Sequence, residues 1–250
     1  MPIANARMYS VTPAVKAAWR ELFDWVLRHA QLNWPVIDHD APAPLSQLWA
    51  REDVGLAMMC GLPFSEREPR ATLVAALVPS PQRYGGQPVY MTDIVVRADS
   101  PFRSIEDTRG GIVGYTLADS LSGGVAPRKF LRHIEYREEL DGLVTPRGVI
   151  DALMERRIDV GPLDGYWHDL LRANEPQLAQ RVRTIASTPL LPIPPLVATA
   201  SLGAVELQRL RSALSQSGEE PSLASVRGKL LLGGFAFPDP ARYAPLARSR

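Results

Sequence analysis

The sequence has little of several residue types on which particular kinds of protein depend. It holds one cysteine, Cys60, among 250 residues, which excludes an intramolecular disulfide and any metal site built from several cysteines. Its charges almost cancel, with 28 Lys and Arg against 27 Asp and Glu and a formal net charge of +1. A nucleic-acid binder needs a basic surface, so no nucleic-acid partner is predicted.

Long apolar runs are also missing. No segment approaches the roughly 20 consecutive apolar residues of a membrane-spanning helix, and even the richest segment, Thr188–Ala200, contains four prolines. Residues 1–7 lack the basic segment and the apolar run of a secretory signal. We therefore predict that the chain as given stays in the cytoplasm, and that it is periplasmic if the true start lies upstream.

Neither the histidines nor the glycines form a pattern typical of a cofactor site. The histidines show no metal-ligand spacing such as H-E-x-x-H, and the glycine pairs match neither the dinucleotide nor the P-loop pattern. Cys60 has no base near it in the sequence, which favours a buried thiol over a nucleophile. The sequence therefore predicts no metal, no cofactor and no catalytic residue. The histidines are His29, His39, His133 and His168.

The sequence does contain short apolar runs that alternate with amphipathic stretches of about 10–20 residues, which favours an α/β fold. Residues 7–11 are interpreted as a brief strand. Thr12 and Pro13 then predict the start of a helix over Val15–His29, since proline is favoured at the first helical position. The proline-rich residues 189–195 must be extended and form the clearest linker, and the tail around Gly233–Phe235 is interpreted as a segment that covers the fold.

Four stretches of the sequence resemble successive parts of one protein family. The first resembles a strand with its ligand-facing turn, and the second the family's D-L-R-G-K run, where the chain enters the second lobe. The third resembles a Ser/Thr-Ser-Gly anion loop, and the fourth a G-x-x-D-x-g-x-x-D run after a surface helix. The stretches are Val54–Pro63, Asp93–Arg97 with Ser104–Gly110, Tyr115–Gly123, and Leu153–Asp164.

Together these stretches resemble the type II periplasmic-binding-protein fold, and within it the phosphate-, phosphite- and phosphonate-binding proteins of ABC transporters. The resemblance implies two α/β lobes with mixed sheets flanked by helices and a ligand cleft between them that closes at a hinge. Lobe 1 would be residues 1–94 with 196–250, and lobe 2 residues 95–195. It also implies a small anionic ligand and, for a transport role, an ABC-transporter permease as partner.

Candidate ligand contacts follow strands, because ligands of α/β folds lie at the carboxyl ends of strands. Ser120, Ser122 and Gly123 lie in a glycine-rich loop before a helix, where backbone amides and the helix dipole favour an anion; alternatively, Ser122 only caps the helix. By the resemblance, Asp164 and Tyr166, which follow the predicted strand Ile158–Leu163, accept from an amine or hydroxyl of the ligand, as the equivalent aspartate does in aminoalkyl-phosphonate binders. The alternative for Asp164 is an ordinary Asp-Gly turn.

Lobe 1 and the crossing segment supply the other candidates. Tyr9 and Ser10 lie at the end of the first predicted strand and Gly61 follows the second, so both segments are expected to face the same crevice. The alternative for Tyr9 is a packing aromatic. Thr92 lies in the predicted crossing segment, where its hydroxyl either contacts the ligand or packs at the hinge.

Two other classes of function stay open beside transport. Cytosolic enzymes share the fold, such as the chorismate dehydratase of menaquinone synthesis and the pyrimidine-precursor synthase of thiamine synthesis. The second type needs a sacrificial histidine and a cysteine-rich loop, which the predicted cleft loops lack, so binding is favoured over catalysis. A cytosolic ligand sensor is the third class, although no DNA-binding helix pair is visible in the sequence.

Overall fold

The computed structural model describes residues 1–248 as an α/β protein. No helix in that range is both long enough and apolar enough to cross a membrane. The strands are β1 Ile3–Asn5, β2 Val54–Met58, β3 Thr72–Pro79, β4 Val89–Tyr90, β5 Thr92–Arg97, β6 Ile112–Gly114, β7 Glu138–Leu140, β8 Val160–Asp164, β9 Val182–Ser187, β10 Leu191–Pro192, β11 Pro195–Ala198 and β12 Leu232–Ala236. The α-helices are α1 Pro13–His29, α2 Leu45–Trp49, α3 Gly61–Glu66, α4 Ala126–Leu131, α5 Pro146–Met154, α6 Gly165–Asn174, α7 Pro176–Ala179, α8 Ala204–Ser217 and α9 Ala224–Leu230.

The chain divides into two compact units. Unit 1 consists of Met1–Val89 and Pro192–Arg248, and unit 2 of Tyr90–Leu191. The chain therefore leaves unit 1 once and returns to it once. Each unit holds a five-stranded mixed sheet, while the short strands β4 and β10 pair with each other.

The sheet of unit 1 has the strand order β1-β2-β11-β3-β12. β1 runs parallel to β2, and β11 runs antiparallel to both β2 and β3. The first strand is Ile3–Asn5 rather than residues 7–11, so the predicted position was wrong. The reason is local, because the Asn5 side chain accepts the N–H of Arg7 at 2.9 Å and turns the chain into a 3-10 segment over Arg7–Tyr9.

The C-terminal glycines belong to a strand rather than to a covering segment. Residues Leu232–Ala236 form β12, which pairs antiparallel with β3. The register shifts between Leu232 and Gly234, and the φ of Gly234 is +149°. Glycine is common at such bulges because it tolerates a positive φ. The two glycines, which have no side chains, also interrupt the apolar alternation by which a strand is recognised in a sequence.

Helix α1 confirms the predicted start. The Oγ1 of Thr12 accepts the N–H of Val15 at 3.2 Å, and Pro13 is the first helical residue. This cap satisfies one of the amide groups that a helix N-terminus leaves without a partner. The helix buries an apolar stripe spaced by three or four residues, which includes Val15, Trp19, Leu22, Phe23 and Val26.

The sheet of unit 2 has the strand order β7-β6-β8-β5-β9. β6 runs parallel to β7 and β8, whereas β5 runs antiparallel to β8 and β9. The carboxyl ends of β6 and β8 and the start of β5 therefore meet at one edge of the sheet. Its apolar core contains Ile94, Val96, Val113, Tyr115, Leu131 and Val160.

Candidate functional site

The loop after β6 contains the glycine-rich segment that the sequence predicts as an anion loop. Ser120 precedes a π-helical turn over Leu121–Val125, and its Oγ accepts the N–H of Gly123 at 3.1 Å. The carbonyl of Ser120 accepts the N–H groups of Gly124 and Val125 at 3.0 and 2.9 Å. The residue that caps this turn is thus Ser120 rather than Ser122, and capping leaves the Ser122 side chain available for other contacts.

Gly123 is required by the close approach of a neighbouring segment. A Cβ at this position would lie 1.8 Å from the Oγ1 of Thr116 and 2.9 Å from its Cβ. The backbone N–H of Thr116 also donates to the carbonyl of Gly123 at 2.9 Å. Only glycine allows the loop to close against Thr116, so Gly123 fixes the path of the loop through backbone contacts.

Ser122 joins the loop to two strands. Its Oγ lies 3.2 Å from the Oδ2 of Asp164, and its carbonyl accepts the Oγ1–H of Thr92 at 3.0 Å. Thr92 and Asp164 are themselves opposite each other in the β5–β8 pairing. Three residues that are widely separated in the sequence thus form one hydrogen-bonded cluster at the edge of the sheet.

Asp164 ends β8 and caps α6. Its Oδ1 accepts the N–H groups of Tyr166 and Trp167, each at 3.1 Å, and only 7% of the residue is exposed. A carboxylate at a helix N-terminus is stabilised by these donors and by the helix dipole. Asp164 therefore places a negative charge directly beside the Ser122 hydroxyl.

Tyr166 lies inside unit 2 rather than at its surface. The residue is fully buried, and burial raises the pKa of its phenol, with smaller contributions from the charges of Asp164 and Asp169. The phenol is therefore protonated at neutral pH. Tyr166 lies in the first turn of α6, and its backbone N–H is one of the two donors that hold the Asp164 carboxylate.

The three candidates from unit 1 take part in local structure. Tyr9 is 1% exposed and its carbonyl accepts the Trp19 Nε1–H at 3.2 Å. Ser10 donates to the carbonyl of Ala6 at 3.0 Å, and Gly61 is the buried first residue of α3. The contacts described for these three residues all lie within unit 1.

Ser10 also lines an open pocket of unit 1 that carries charges of both signs. In this pocket Lys16 pairs with Asp38 at 3.0 Å and with Asp40 at 2.8 Å, and Arg20 pairs with Asp38 at 2.9 Å. These cations already have carboxylate partners. The pocket lining comprises Asn5, Ala6, Arg7, Ser10, Lys16, Arg20 and Val36–Asp40.

The loop between β7 and α5 is a part of the site region that the sequence interpretation missed. Gly142 and Leu143 donate their N–H groups to the carbonyls of Thr116 and Tyr115, at 3.0 and 3.1 Å. Val144 follows with a φ of +61°, a strained conformation for a β-branched residue and one that clusters at ligand-binding loops. The Thr145-Pro146 pair, which repeats the capping pair of α1, was the available signal.

The described residues contain few groups suited to a metal. Within residues 1–248, no three His, Cys, Asp or Glu side chains are grouped so that they could hold a metal ion. Cys60 is buried, as predicted. The cluster of Thr92, Ser122 and Asp164 contains two hydroxyl groups next to one carboxylate.

Comparison with known proteins places the chain in context. The model of one family, described as the periplasmic substrate-binding protein of phosphonate ABC transporters, matches residues 11–243. No curated protein matches the chain.

Solved structures with the same fold include a binding protein component of an ABC phosphonate transporter from Pseudomonas aeruginosa, with a TM-score of 0.80 and 20% identity over 99% of this chain and 85% of that one. PhnD1 from Prochlorococcus marinus, in complex with methylphosphonate, has a TM-score of 0.77 and 14% identity over 99% and 96% of the two chains. A Xanthomonas citri protein bound to ATP has a TM-score of 0.67 and 21% identity over 99% and 96%. These likenesses confirm the predicted periplasmic-binding-protein fold.

Proposed function

Because the chain belongs to the family of periplasmic substrate-binding proteins of phosphonate ABC transporters, we propose that it binds a small phosphonate- or phosphate-like anion through unit 2. The ligand contacts are the loop Ser120–Gly123, Thr92 and Asp164, at the edge of the sheet where β6 and β8 end. The protein binds and releases its ligand without chemical change.

The observation that carries this proposal is the hydrogen-bonded cluster of Thr92, Ser122 and Asp164. The cluster lies at the carboxyl ends of two parallel strands, where ligands of α/β proteins bind. On binding, the Ser122 hydroxyl turns its hydrogen from Asp164 to the ligand, because hydroxyl groups recognise oxyanions as donors without a formal positive charge. The predicted anion loop and the predicted aspartate meet at this edge, although 42 positions separate Ser122 from Asp164.

The carboxylate of Asp164 narrows the class of anion that the site is expected to prefer. A negative charge beside an oxyanion site disfavours a simple anion and favours a ligand that carries a donor or a positive charge a few bonds away. Aminoalkyl-phosphonates have this arrangement. We therefore expect 2-aminoethylphosphonate to bind more tightly than methylphosphonate.

The direct test is isothermal titration of ligand-free protein with a panel of anions. The panel contains methylphosphonate, 2-aminoethylphosphonate, phosphate, phosphite, methanesulfonate and acetate. A ligand at about 100 times its dissociation constant also adds about 2.7 kcal/mol to the free energy of unfolding, so thermal shifts give an independent reading. Absence of binding to all four phosphorus compounds would contradict the proposal.

The contribution of the loop is tested with Ser122→Ala. Loss of the hydroxyl is expected to weaken binding about tenfold, which corresponds to about 1.4 kcal/mol. The matched control is Ser46→Ala, because Ser46 is an exposed residue of α2 in unit 1. Equal affinities of the two variants would remove Ser122 from the site.

The enzyme alternative is distinguished by the fate of the ligand. On the binding proposal, the ³¹P NMR spectrum of each phosphonate stays the same after prolonged incubation with the protein. Appearance of a new phosphorus signal that depends on the protein would favour an enzyme on this fold.

The permease partner and the cellular location form the last part of the proposal. The family consists of periplasmic components of ABC transporters. We therefore propose that this chain has an ABC-transporter permease as partner, and that of the two predicted locations the periplasm is the right one. Fractionation of the native cells, with determination of the N-terminal residue of the mature protein, tests the location. Recovery from the cytoplasm with Met1 intact would contradict it.

A further inference from the structure

Unit 2 contains a buried carboxylate–imidazole pair next to the proposed site. The Oδ2 of Asp93 lies 2.8 Å from the Nδ1 of His168, and the two residues are 0% and 1% exposed. Asp93 follows Thr92 in β5, and His168 lies one helical turn after Asp164, in α6. The sequence interpretation weighed His168 only as a metal ligand.

Groups from two elements surround this pair. The Oγ of Ser187 in β9 donates to the Oδ1 of Asp93 at 2.7 Å. From α6, the Nη1 of Arg172 lies 3.7 Å from Asp93 Oδ2 and 3.0 Å from the Oδ1 of Asp169. Asp93 therefore has hydrogen-bond donors on both oxygens and a cation nearby, as an ionised buried carboxylate requires.

The hydrogen bonds also define the form of the imidazole. Since Nδ1 faces the carboxylate, it carries the proton and donates. Nε2 is buried and has no hydrogen-bond partner within residues 1–248, so a second proton there would find no acceptor. Burial lowers the pKa of His168 more than Asp93 raises it, in agreement with a neutral ring.

The Asp93–His168 pair joins strand β5, which carries Thr92, to helix α6, which Asp164 caps. In the β5–β8 pairing, Thr92 is opposite Asp164 and Asp93 is opposite Leu163. Successive side chains of a strand point to opposite faces, so Thr92 turns toward the Ser122 carbonyl while Asp93 turns toward α6. The Asp93–His168 bond thus fixes α6 to β5 one turn away from Asp164.

We propose that Asp93 and His168 are positioning residues of the anion site, which hold the first turn of α6 so that Asp164 stays in hydrogen-bond reach of Ser122. This inference rests on the proposed function for its effect on ligand binding. Asp93 is a buried charge held by polar partners, and such an arrangement is often less stabilising than well-packed apolar residues of similar volume. A role in geometry, beyond stability, is therefore the physical reason that we assign to the pair.

The test compares three variants of His168 by titration with methylphosphonate and 2-aminoethylphosphonate. His168→Asn keeps a donor at the position of Nδ1, whereas His168→Leu removes it and His168→Gln moves it to the position of Nε2. We expect affinities within about threefold of wild type for the Asn variant and about tenfold weaker for the Leu and Gln variants. His133→Leu is the control, because His133 is exposed in the same unit.

Thermal unfolding is measured for every variant, so that loss of binding is interpreted only in folded protein. If His168→Leu does not fold, His168→Gln supplies the comparison with His168→Asn. Wild-type affinity in a variant without the donor overturns the proposal. An Asn variant that folds but binds as weakly as the Leu or Gln variant overturns it as well, since rescue by the restored hydrogen bond is its central expectation.

A second measurement is independent of any ligand. The N–H groups of Tyr166 and Trp167 donate to Asp164, and their hydrogen exchange reports whether the first turn of α6 is held. Exchange of these two amides is expected to accelerate about tenfold in His168→Gln and not in His168→Asn. The N–H of Gly148 in α5, which donates to the capping residue Thr145, serves as reference.

The two measurements separate failure of this inference from failure of the proposed function. If wild-type protein binds neither phosphonate but the Tyr166 and Trp167 amides lose protection in His168→Gln, the proposed function fails and the positioning role stands. If wild type binds and both amides keep their protection, the positioning role fails and the function stands.

Discussion

The two units share a plan for their sheets but use polar side chains in opposite ways. In both, the strand that enters after a crossing runs antiparallel between two neighbours: β5 between β8 and β9, and β11 between β2 and β3. Unit 1 keeps its ion pairs at the surface, such as Lys16 with Asp38 and Asp40. Unit 2 buries three aspartates, which are Asp93, Asp164 and Asp169.

The buried polar side chains make this contrast clear. Of those in residues 1–248, unit 1 contains Asn5, Ser65 and Ser217. Unit 2 contains Thr92, Asp93, Ser100, Thr108, Thr116, Asp164, His168, Asp169 and Thr188. Because burying a polar group costs free energy unless it is hydrogen-bonded, this concentration indicates that hydrogen bonds between buried side chains define unit 2 more than they define unit 1.

The largest effect is expected from Asp93→Ala. Removal of the carboxylate leaves the Ser187 hydroxyl and His168 Nδ1 without their acceptor. Each unsatisfied donor costs about 1–3 kcal/mol, so the free energy of unfolding should fall by about 2–5 kcal/mol. Urea denaturation measures the change. Ser187→Ala, which removes one donor only, should lower it by about 1 kcal/mol. Similar values for the two variants would show that the buried charge does not organise unit 2.

A smaller but still large loss is expected from Gly123→Ala. The added Cβ meets the Thr116 hydroxyl at 1.8 Å, and such overpacking lowers the free energy of unfolding by about 1–3 kcal/mol. The matched control in unit 1 is Gly228→Ala, in α9, where nothing lies within 4 Å of the new Cβ. Alanine there is expected to stabilise by about 0.5–1 kcal/mol. Thermal denaturation measures both variants. A change of the melting temperature in the same direction for Gly123→Ala and Gly228→Ala would contradict the expected difference between the two glycines.

An intermediate effect, equal in the two units, is expected from the helix caps. Thr12 caps α1 in unit 1 and Thr145 caps α5 in unit 2, each followed by proline. Replacement of either by alanine should lower the free energy of unfolding by about 1 kcal/mol, as measured by urea denaturation, and replacement by serine should restore most of it. A much larger loss at Thr145 than at Thr12 would mean that the strained Val144 beside it depends on this cap.

The smallest effect is expected from Lys16→Ala in unit 1. Lys16 bridges Asp38 and Asp40, but more than half of each carboxylate side chain is exposed, and such surface pairs contribute less than about 1 kcal/mol. The free energy of unfolding should therefore change by less than 1 kcal/mol, and less still at high salt. A loss as large as that of Asp93→Ala would remove the distinction between the units.

The part of the fold that could be predicted from the sequence is the part with local signals. Thr12 and Pro13 mark the start of α1 because capping depends on neighbouring residues alone. Strand β12 was missed because Gly233 and Gly234 remove the apolar alternation, and its pairing with β3 is set by residues far along the chain. The position of β1 was missed because a single side chain, Asn5, decides where the chain turns.

The candidate site divides in the same way. Ser120, Ser122 and Gly123 were recognisable because glycine and serine next to a predicted helix form a local pattern. The contact of Ser122 with Asp164, and of Asp93 with His168, has no local signal, because it exists only after β5, β6 and β8 have paired. Asp164 was predicted as a ligand contact only from the resemblance to a known family, because the residues alone indicate no more than an Asp-Gly turn.

The order of the segments along the chain has a consequence for synthesis on the ribosome. Unit 2 is one continuous segment, Tyr90–Leu191, so its sheet is complete as soon as β9 has been made. The sheet of unit 1 waits for β11 and β12, which flank β3 and are made last. Until then the apolar strand β3 lacks both neighbours, and such an exposed strand is prone to aggregate. Unit 2 thus matures first, while Met1–Val89 depends on the later segment Pro192–Arg248 for protection.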